Sequence, residues 1–173
     1  STNTYAQTVS VAPASAKKAA QPWLYEGSDI PVDDTWTFGV LPNGLRYAVK
    51  KNDVPAGQVS IRVRIDAGAL HENNDEQGFA HLIEHLSFRG STFVPDGEAK
   101  RIWQRFGVTF GSDSNAQTTP TQTVYKLDLP NVTPEKLDES VKIISGMIRN
   151  PRISPTALNA ERAIVLAELR ENS

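Results

Sequence analysis

His81-Leu82-Ile83-Glu84-His85 is the stretch from which the rest of this sequence is best interpreted. Acidic and amide residues just before it favour a helix start and a glycine after it favours a helix end, so we predict one helix over residues 75–88. On a helix the two histidines lie one turn apart on one face, and Glu84 points to nearly the same side. Both imidazoles can therefore reach one metal ion, and Glu84 can take a proton from a water molecule bound to it. Zinc suits these ligands because it accepts imidazole nitrogen and carboxylate oxygen in a tetrahedral site.

The motif also has an ordinary explanation, because histidines are more often structural or exposed than ligands and short patterns arise by chance. Here, two of the three histidines in the chain lie in the motif. The third, His71, lies in a predicted loop, and we interpret it as a non-ligand. The pattern favours a metal site, and the alternative is an α+β domain whose His/Glu cluster is only a surface feature.

A catalytic zinc site needs a third protein ligand besides the two histidines. The best candidates lie on the predicted last helix, where Glu161 and Glu168 share one face over two helical turns. A carboxylate there could face the histidine helix if the two helices pack together. For a single glutamate the alternative is a solvated acidic face, and we give Glu171 that interpretation.

Composition predicts one domain preceded by an arm. Residues 1–34 are rich in Ala, Ser, Thr and Pro, which predicts a flexible or extended arm, and residues 35–173 form the predicted domain. The net charge of -2 favours neither nucleic acid nor an anionic membrane as a partner. No apolar run approaches the length of a membrane span, and the lack of cysteine excludes disulfides and a thiolate metal site.

The periodicity predicts an α+β fold, with helices packed on one face of an antiparallel or mixed sheet. Predicted strands cover residues 37–41, 45–50, 59–66 and 123–129, and a Pro42-Asn43-Gly44 turn joins the first two. In the third strand the side chains predicted to face the core are Val59, Ile61, Val63 and Ile65. The outward side chains, which include Arg62 and Arg64, are interpreted as an exposed sheet face.

Three further helices are predicted after the motif. The first covers residues 96–106, capped by Asp96, and the other two start at Thr133-Pro134 and Ser154-Pro155. The buried stripe predicted for the helix after Thr133 consists of Leu137, Val141, Ile144 and Ile148.

Taken in order, these segments resemble the inverted-motif zinc peptidases, the family of pitrilysin, insulinase and mitochondrial processing peptidase. The resemblance runs from about Trp36 to the end of the chain. It rests on the H-x-x-E-H motif within residues 78–91, on the late E-R-x-x-V-x-x-E helix, and on matches at residues 38–46, 66–68, 115–116 and 125. The fold that it implies is a mitochondrial processing peptidase-like metallohydrolase domain, of which this chain is the amino-terminal, zinc-binding part.

The resemblance implies a role for individual residues. The implied zinc ligands are His81, His85 and Glu168, and Glu84 is the implied catalytic base. Glu161 matches a supporting acidic residue beside the metal.

Asn115 and Ala116 match the family's substrate-binding edge strand. A peptide can add to a free strand edge through main-chain hydrogen bonds, although from the residues alone this stretch is an ordinary polar loop.

The function implied by the resemblance is that of a zinc-dependent endopeptidase, which hydrolyses peptides or unfolded segments through a water activated by zinc. The implied partners are a peptide substrate and a carboxyl-terminal half, or a partner subunit, of similar fold. A non-catalytic binding or structural subunit of the same fold is the alternative. Because bacterial relatives with a Pro/Ala-rich lead are often periplasmic, we expect a periplasmic or secreted protein.

Overall fold

The computed structural model describes Trp23 and residues 25–171. Most of the predicted arm, residues 1–34, lies outside these residues and stays a prediction. The chain divides into two compact units, one up to Asn52 and one from Asp53 onward. None of the helices in the described part combines the length and apolar character needed to cross a bilayer.

The first unit contains a β-hairpin. Strands β1 (Trp36–Val40) and β2 (Arg46–Lys50) pair antiparallel, which confirms the predicted hairpin. In its turn, the Leu41 amide donates to the Leu45 carbonyl at 2.8 Å and the Asn43 side chain accepts from the Leu45 amide at 3.1 Å. The turn sequence therefore holds the two strands in register through its own hydrogen bonds.

The second unit is built on a three-stranded antiparallel sheet. Strands β3 (Val59–Ile65), β4 (Ser114–Thr118) and β5 (Thr123–Leu129) lie in the order β3-β5-β4. The central strand β5 alternates strictly between buried and half-buried residues, and its buried side chains face the helices. This sheet and its helices confirm the predicted α+β class. Strand β4 lies at an edge, which is where a further strand can pair.

Arg62 and Arg64 lie on the solvent face of the sheet, as the alternation predicts, and both are paired with carboxylates. Arg62 donates to both carboxylate oxygens of Asp128, at 2.8 and 3.3 Å, and Arg64 pairs with Asp66 at 2.8 Å. Burial tends to raise the pKa of Asp128, but hydrogen bonds from Arg62, Ser60 and Lys126 outweigh it and hold this pKa below its ordinary value. Both arginines therefore form ion pairs on the solvent face of the sheet.

Four α-helices complete the described part of the second unit: α1 (Phe79–Ser87), α2 (Glu98–Arg105), α3 (Pro134–Arg149) and α4 (Pro155–Glu171). The starts predicted for α3 and α4 are confirmed. Thr133 accepts a hydrogen bond from the Lys136 amide at 3.3 Å, and Ser154 accepts one from the Ala157 amide at 3.1 Å. Both helices then begin with proline, whose missing N–H costs nothing in the first turn.

The start predicted for the motif helix is wrong by one turn. Helix α1 begins at Phe79 because Gly78 has a left-handed backbone with φ of 90°, which interrupts a helix. The residues before it fold back instead, so that Glu72 accepts hydrogen bonds from the Gly78 and Ala80 amides at 2.8 and 2.6 Å. A distant glutamate therefore caps this helix, in place of the nearby acidic residues.

Helix α2 shows a similar displacement of its cap. It begins at Glu98 after Gly97, which has φ of 78°, and Asp96 does not cap it. The Asp96 carboxylate pairs with Arg89 at 3.3 Å instead. The predicted cap is therefore wrong, because an ion pair with the segment after α1 holds the carboxylate.

The hydrophobic core lies between the sheet and helices α2 and α3. Trp103 at its centre is 1% exposed. The other buried members of the core are Val94, Ala99, Ile102, Val108, Leu127, Leu129, Ile143, Ile144 and Met147. The predicted stripe on α3 is wrong at Val141, which is half exposed, because the face that meets the core runs through Ile143, Ile144 and Met147.

Candidate metal centre

Helices α1 and α4 pack against each other and bring five polar side chains together. Helix α1 contributes His81 and His85 at adjacent turns, with Glu84 beside them. Helix α4 contributes Glu161 and Glu168, which follow its buried face. The histidine motif and the late glutamates therefore meet in space, although most of the second unit separates them in sequence.

Three side-chain atoms from these helices converge. The Nε2 atoms of His81 and His85 are 3.2 Å apart. The Oε2 atom of Glu168 lies 3.3 Å from the first and 3.6 Å from the second. In the described part of the chain, these residues form the one group of three or more His, Cys, Asp or Glu side chains that could hold a metal ion.

This triangle fits a zinc ion by a simple geometric test. A tetrahedral site with metal–ligand bonds of about 2.0–2.1 Å has ligand–ligand edges of about 3.3 Å, close to the three distances observed. Two imidazole nitrogens and one carboxylate oxygen are also a donor set that zinc accepts, and they leave a fourth position open. The residues present therefore match the requirements of a catalytic zinc site.

Glu161 contacts the back of His85. Its Oε2 lies 3.1 Å from His85 Nδ1, and its Oε1 lies 3.6 Å from Arg89. Because a carboxylate accepts hydrogen bonds, this contact assigns the proton of His85 to Nδ1 and leaves a lone pair on Nε2, which faces Glu168. The side chain of Glu161 is 10% exposed and that of Glu168 is 42% exposed. Glu161 is thus placed to hold the orientation of the His85 ring, and Glu168 lies open to the cleft.

Glu84 is buried beside the triangle, with 8% of its surface exposed. Its Oε2 accepts a hydrogen bond of 2.6 Å from the hydroxyl of Thr118, on strand β4. A buried carboxylate needs such a donor, because burial without a partner is costly. Glu84 is therefore held between the motif helix and the edge strand.

The triangle lies in an open cleft of about 510 Å³. One wall is strand β4, which contributes Asn115 and Ala116, and another carries the side chains of Lys100 and Phe110. Strand β4 pairs with β5 on one side and with no described strand on the other. The edge that sequence reasoning assigned to substrate therefore borders the same cleft as His81, His85 and Glu84.

A second cleft of about 450 Å³, lined mostly by apolar side chains, lies beside α1, and its lining does not include His81, His85 or Glu168. His71 lines it, and its Nδ1 accepts a hydrogen bond from the Gly68 amide at 3.1 Å. Tyr125 also lines it; burial raises the pKa of this phenol, and its hydroxyl lies 3.0 Å from Ser87 Oγ. We therefore take this second cleft to be part of the packing around α1.

Most of this sequence matches a known protein family. The profile of Insulinase (Peptidase family M16) matches residues 47–173, most of the chain. The chain belongs to the insulinase family. Residues 47–173 include all of the second unit and every side chain of the candidate metal centre.

Relatives of this insulinase-family chain include proteins named as zinc proteases. It is 36% identical over 147 residues to the probable zinc protease PqqL of Haemophilus influenzae, covering 85% of this chain and 16% of that protein. It is 30% identical to the chloroplastic stromal processing peptidase of Pisum sativum, covering 83% of this chain and 11% of that protein. The crystal structure of the periplasmic protease PqqL from Escherichia coli superposes with a TM-score of 0.77 at 32% identity, covering 82% of this chain and 16% of that one.

Sequence reasoning missed two contacts of the site. Arg89, two residues after α1, links Glu161 to Asp96, and Thr118 donates to Glu84. Arg89 lies within residues 78–91, which carry the family resemblance, but the sequence alone gives no sign of its pairing with Glu161. The signal for Thr118 was its position two residues after Ala116, which places both on one side of the edge strand.

Proposed function

We propose that this chain is the amino-terminal, zinc-binding part of a zinc-dependent endopeptidase. The observation that carries the proposal is the convergence of His81, His85 and Glu168 in a cleft that also contains Glu84 and a free strand edge. Membership of the insulinase family and the names of the relatives support the same activity.

His81, His85 and Glu168 would hold the ion, with Glu161 fixing the orientation of His85 from behind. When bound there, zinc supplies Lewis-acid chemistry, which polarises a peptide carbonyl and lowers the pKa of water. Arg89 offsets the negative charge of the buried Glu161. The protein thus supplies a preorganised ligand set and a supporting carboxylate.

Glu84 is the proposed general base. It lies three residues after His81, so its carboxylate points to nearly the same side of α1 as the two histidines. It accepts a proton from the attacking water and returns the proton to the departing amine of the cleaved peptide bond. Its burial limits competition from bulk water for that proton.

The proposed substrate is an extended peptide or an unfolded segment of a protein, paired with the free edge of β4. The Asn115 side chain accepts a hydrogen bond from the Ala116 amide at 2.8 Å. A substrate carbonyl would replace Asn115 as the acceptor of this bond. Main-chain pairing of this kind depends little on substrate sequence. It therefore suits a peptidase that recognises conformation before side-chain identity.

We further propose that a carboxyl-terminal half of similar fold completes the active site. The chain spans 16% of the length of the Haemophilus influenzae relative, and its matches include a structure of the first half of Escherichia coli PqqL. By analogy with that periplasmic protease, we propose a periplasmic location.

Glu84→Gln tests the assignment of the base. The neutral amide keeps the shape of the side chain but cannot accept a proton, so peptide cleavage should fall by about 10²- to 10⁴-fold. Zinc should remain at one ion per chain, as measured by elemental analysis. Glu139→Gln, which removes the same charge at an exposed position on α3, is the matched control.

Normal cleavage by Glu84→Gln would place the base elsewhere. Failure of the unmodified chain to bind zinc would reject the metal centre. Zinc binding without cleavage, even when the carboxyl-terminal half is supplied, would favour the non-catalytic subunit.

A further inference from the structure

We propose that Thr118 is the positioning residue for the general base: its hydroxyl holds one oxygen of Glu84 and leaves the other for proton transfer. The proposal rests on the proposed function of Glu84. It assigns a role to a side chain of the edge strand that the ligand motif does not contain.

The contact is short, and it joins two separate elements. Thr118 Oγ1 lies 2.6 Å from Glu84 Oε2, so a residue of β4 holds the carboxylate of a residue of α1. Among the described residues, Thr118 alone donates a hydrogen bond to this carboxylate. A hydroxyl-to-carboxylate bond of this length is charge-assisted, and it is stronger than a bond between neutral groups. It therefore restricts rotation of the Glu84 side chain.

A count of protons fixes the direction of this bond. Thr123 donates its one hydroxyl proton to the Ala67 carbonyl at 2.9 Å. Thr118 Oγ1 lies 3.4 Å from Thr123 Oγ1 but does not receive that proton, because the Ala67 carbonyl accepts it. The single proton of Thr118 is accordingly directed at Glu84, which as a carboxylate can only accept. The result is one donor on Oε2 and an Oε1 atom to which no hydroxyl among the described residues donates.

The backbone around Thr118 is fixed by its neighbours. Thr118 is the last residue of β4 and pairs with Thr123 of β5, so its position depends on the sheet rather than on a free loop. The turn beyond it is held as well, because the Ala69 and Leu70 amides donate to carbonyls of Thr119 and Pro120. A Cβ atom on Gly68 would overlap the Thr119 carbonyl, which shows how closely the two loops approach. The donor that Glu84 receives is thus preorganised.

The same strand would position both the substrate and the base. Ala116 and Thr118 are two residues apart on one side of β4, and the free edge of that strand borders the cleft. A peptide paired with this edge therefore lies at a distance from Glu84 that is set by strand geometry. An error of about 1 Å in such a distance can lower a rate about 100-fold.

A purely structural role for Thr118 makes a different prediction. If its hydroxyl only satisfied a buried carboxylate, its loss would lower stability and leave turnover of the folded enzyme unchanged. If it positions the base, its loss lowers kcat while KM and zinc content stay the same. Serine, which retains the hydroxyl, should restore the rate.

Thr118→Val is the decisive variant because it keeps the shape and removes the donor. In the zinc-loaded protein, supplied with the carboxyl-terminal half if cleavage requires it, we expect kcat to fall about 10- to 100-fold. KM and the content of one zinc ion per chain should not change. Thr118→Ser should recover most of the rate, and Thr121→Val, at an exposed site in the turn after β4, should match the unmodified protein.

A second measurement needs neither zinc nor activity. In the metal-free chain, Thr118→Val should lower the urea midpoint of unfolding, and this effect should vanish in a Glu84→Ala background because the partner is gone. If Thr118→Val does not fold, Thr118→Ala serves in both experiments with the same expectations.

The results separate this proposal from the proposed function. Full kcat in Thr118→Val while Glu84→Gln is inactive overturns the role of Thr118 alone. A rise in KM without a fall in kcat, or a serine variant no better than valine, also overturns it. Full activity in both Thr118→Val and Glu84→Gln overturns the assignment of the base itself.

Discussion

Two glutamates on α4 illustrate how position decides the role of one residue type. Glu168 is open to the cleft and lies within 3.6 Å of both histidine Nε2 atoms. Glu161 is buried, contacts Nδ1 of His85 and is balanced by Arg89. A ligand must be able to reach the metal, whereas a supporting residue must hold the ligand's orientation from behind. We therefore propose that Glu168 binds the metal and that Glu161 positions His85.

Glu161→Gln should lower zinc affinity about 10- to 100-fold, because an amide orients the His85 ring less strongly than a carboxylate does. Glu168→Gln should lower it further by removing a ligand, and Glu171→Gln, exposed near the end of the same helix, should have no effect. Competition with a chromogenic chelator measures all three. Equal affinities for Glu161→Gln and the unmodified chain would contradict the positioning role.

The start of α1 is determined by a contact between the helix and the loop before it, rather than by the residue next to it. The helix follows a left-handed glycine and has no side-chain cap from the adjoining residue. Glu72, six residues before Gly78, supplies that function by accepting two amide hydrogen bonds. A carboxylate at this end also interacts favourably with the helix dipole. The loop over residues 72–78 therefore helps to hold the start of α1, the helix that carries the two histidines.

Glu72→Ala should lower the free energy of unfolding by about 0.5–2 kcal/mol, the usual cost of losing a helix cap. Asp75→Ala is the control, since Asp75 is exposed and lies in the same loop. Urea unfolding of the metal-free chain measures both variants. A larger loss of unfolding free energy in Asp75→Ala than in Glu72→Ala would contradict the capping role of Glu72. It would favour the helix start near Asp75 that the sequence pattern predicts.

At the scale of the whole molecule, we propose that this chain supplies only part of the enzyme. The cleft around the triangle is open, and the relatives are several times longer than this chain. The zinc-loaded chain should cleave a quenched extended peptide slowly or not at all, and the addition of a carboxyl-terminal half should raise the rate. Full, chelator-sensitive activity of the chain alone would contradict this division of the site.

The sequence predicted this fold well wherever local pattern decides it. The β1–β2 turn, the alternation in β3 and β5, and the starts of α3 and α4 follow from neighbouring residues and were predicted. The start of α1 was not, because Glu72 acts across a loop. In the site, the spacing of His81 and His85 follows from helix geometry alone. The choice between Glu161 and Glu168 as ligand, and the bond from Thr118 to Glu84, depend on how separate elements pack.

The distribution of the triangle over two helices has a consequence for folding. Two of its atoms come from α1 and one from α4, so an ion bound to all three cross-links parts of the chain that meet only after the unit has folded. Zinc binding and folding are then linked equilibria: free zinc at 100 times its dissociation constant adds about 2.7 kcal/mol of stability. The concentration of free zinc would therefore set the stability of the folded protein as well as its activity.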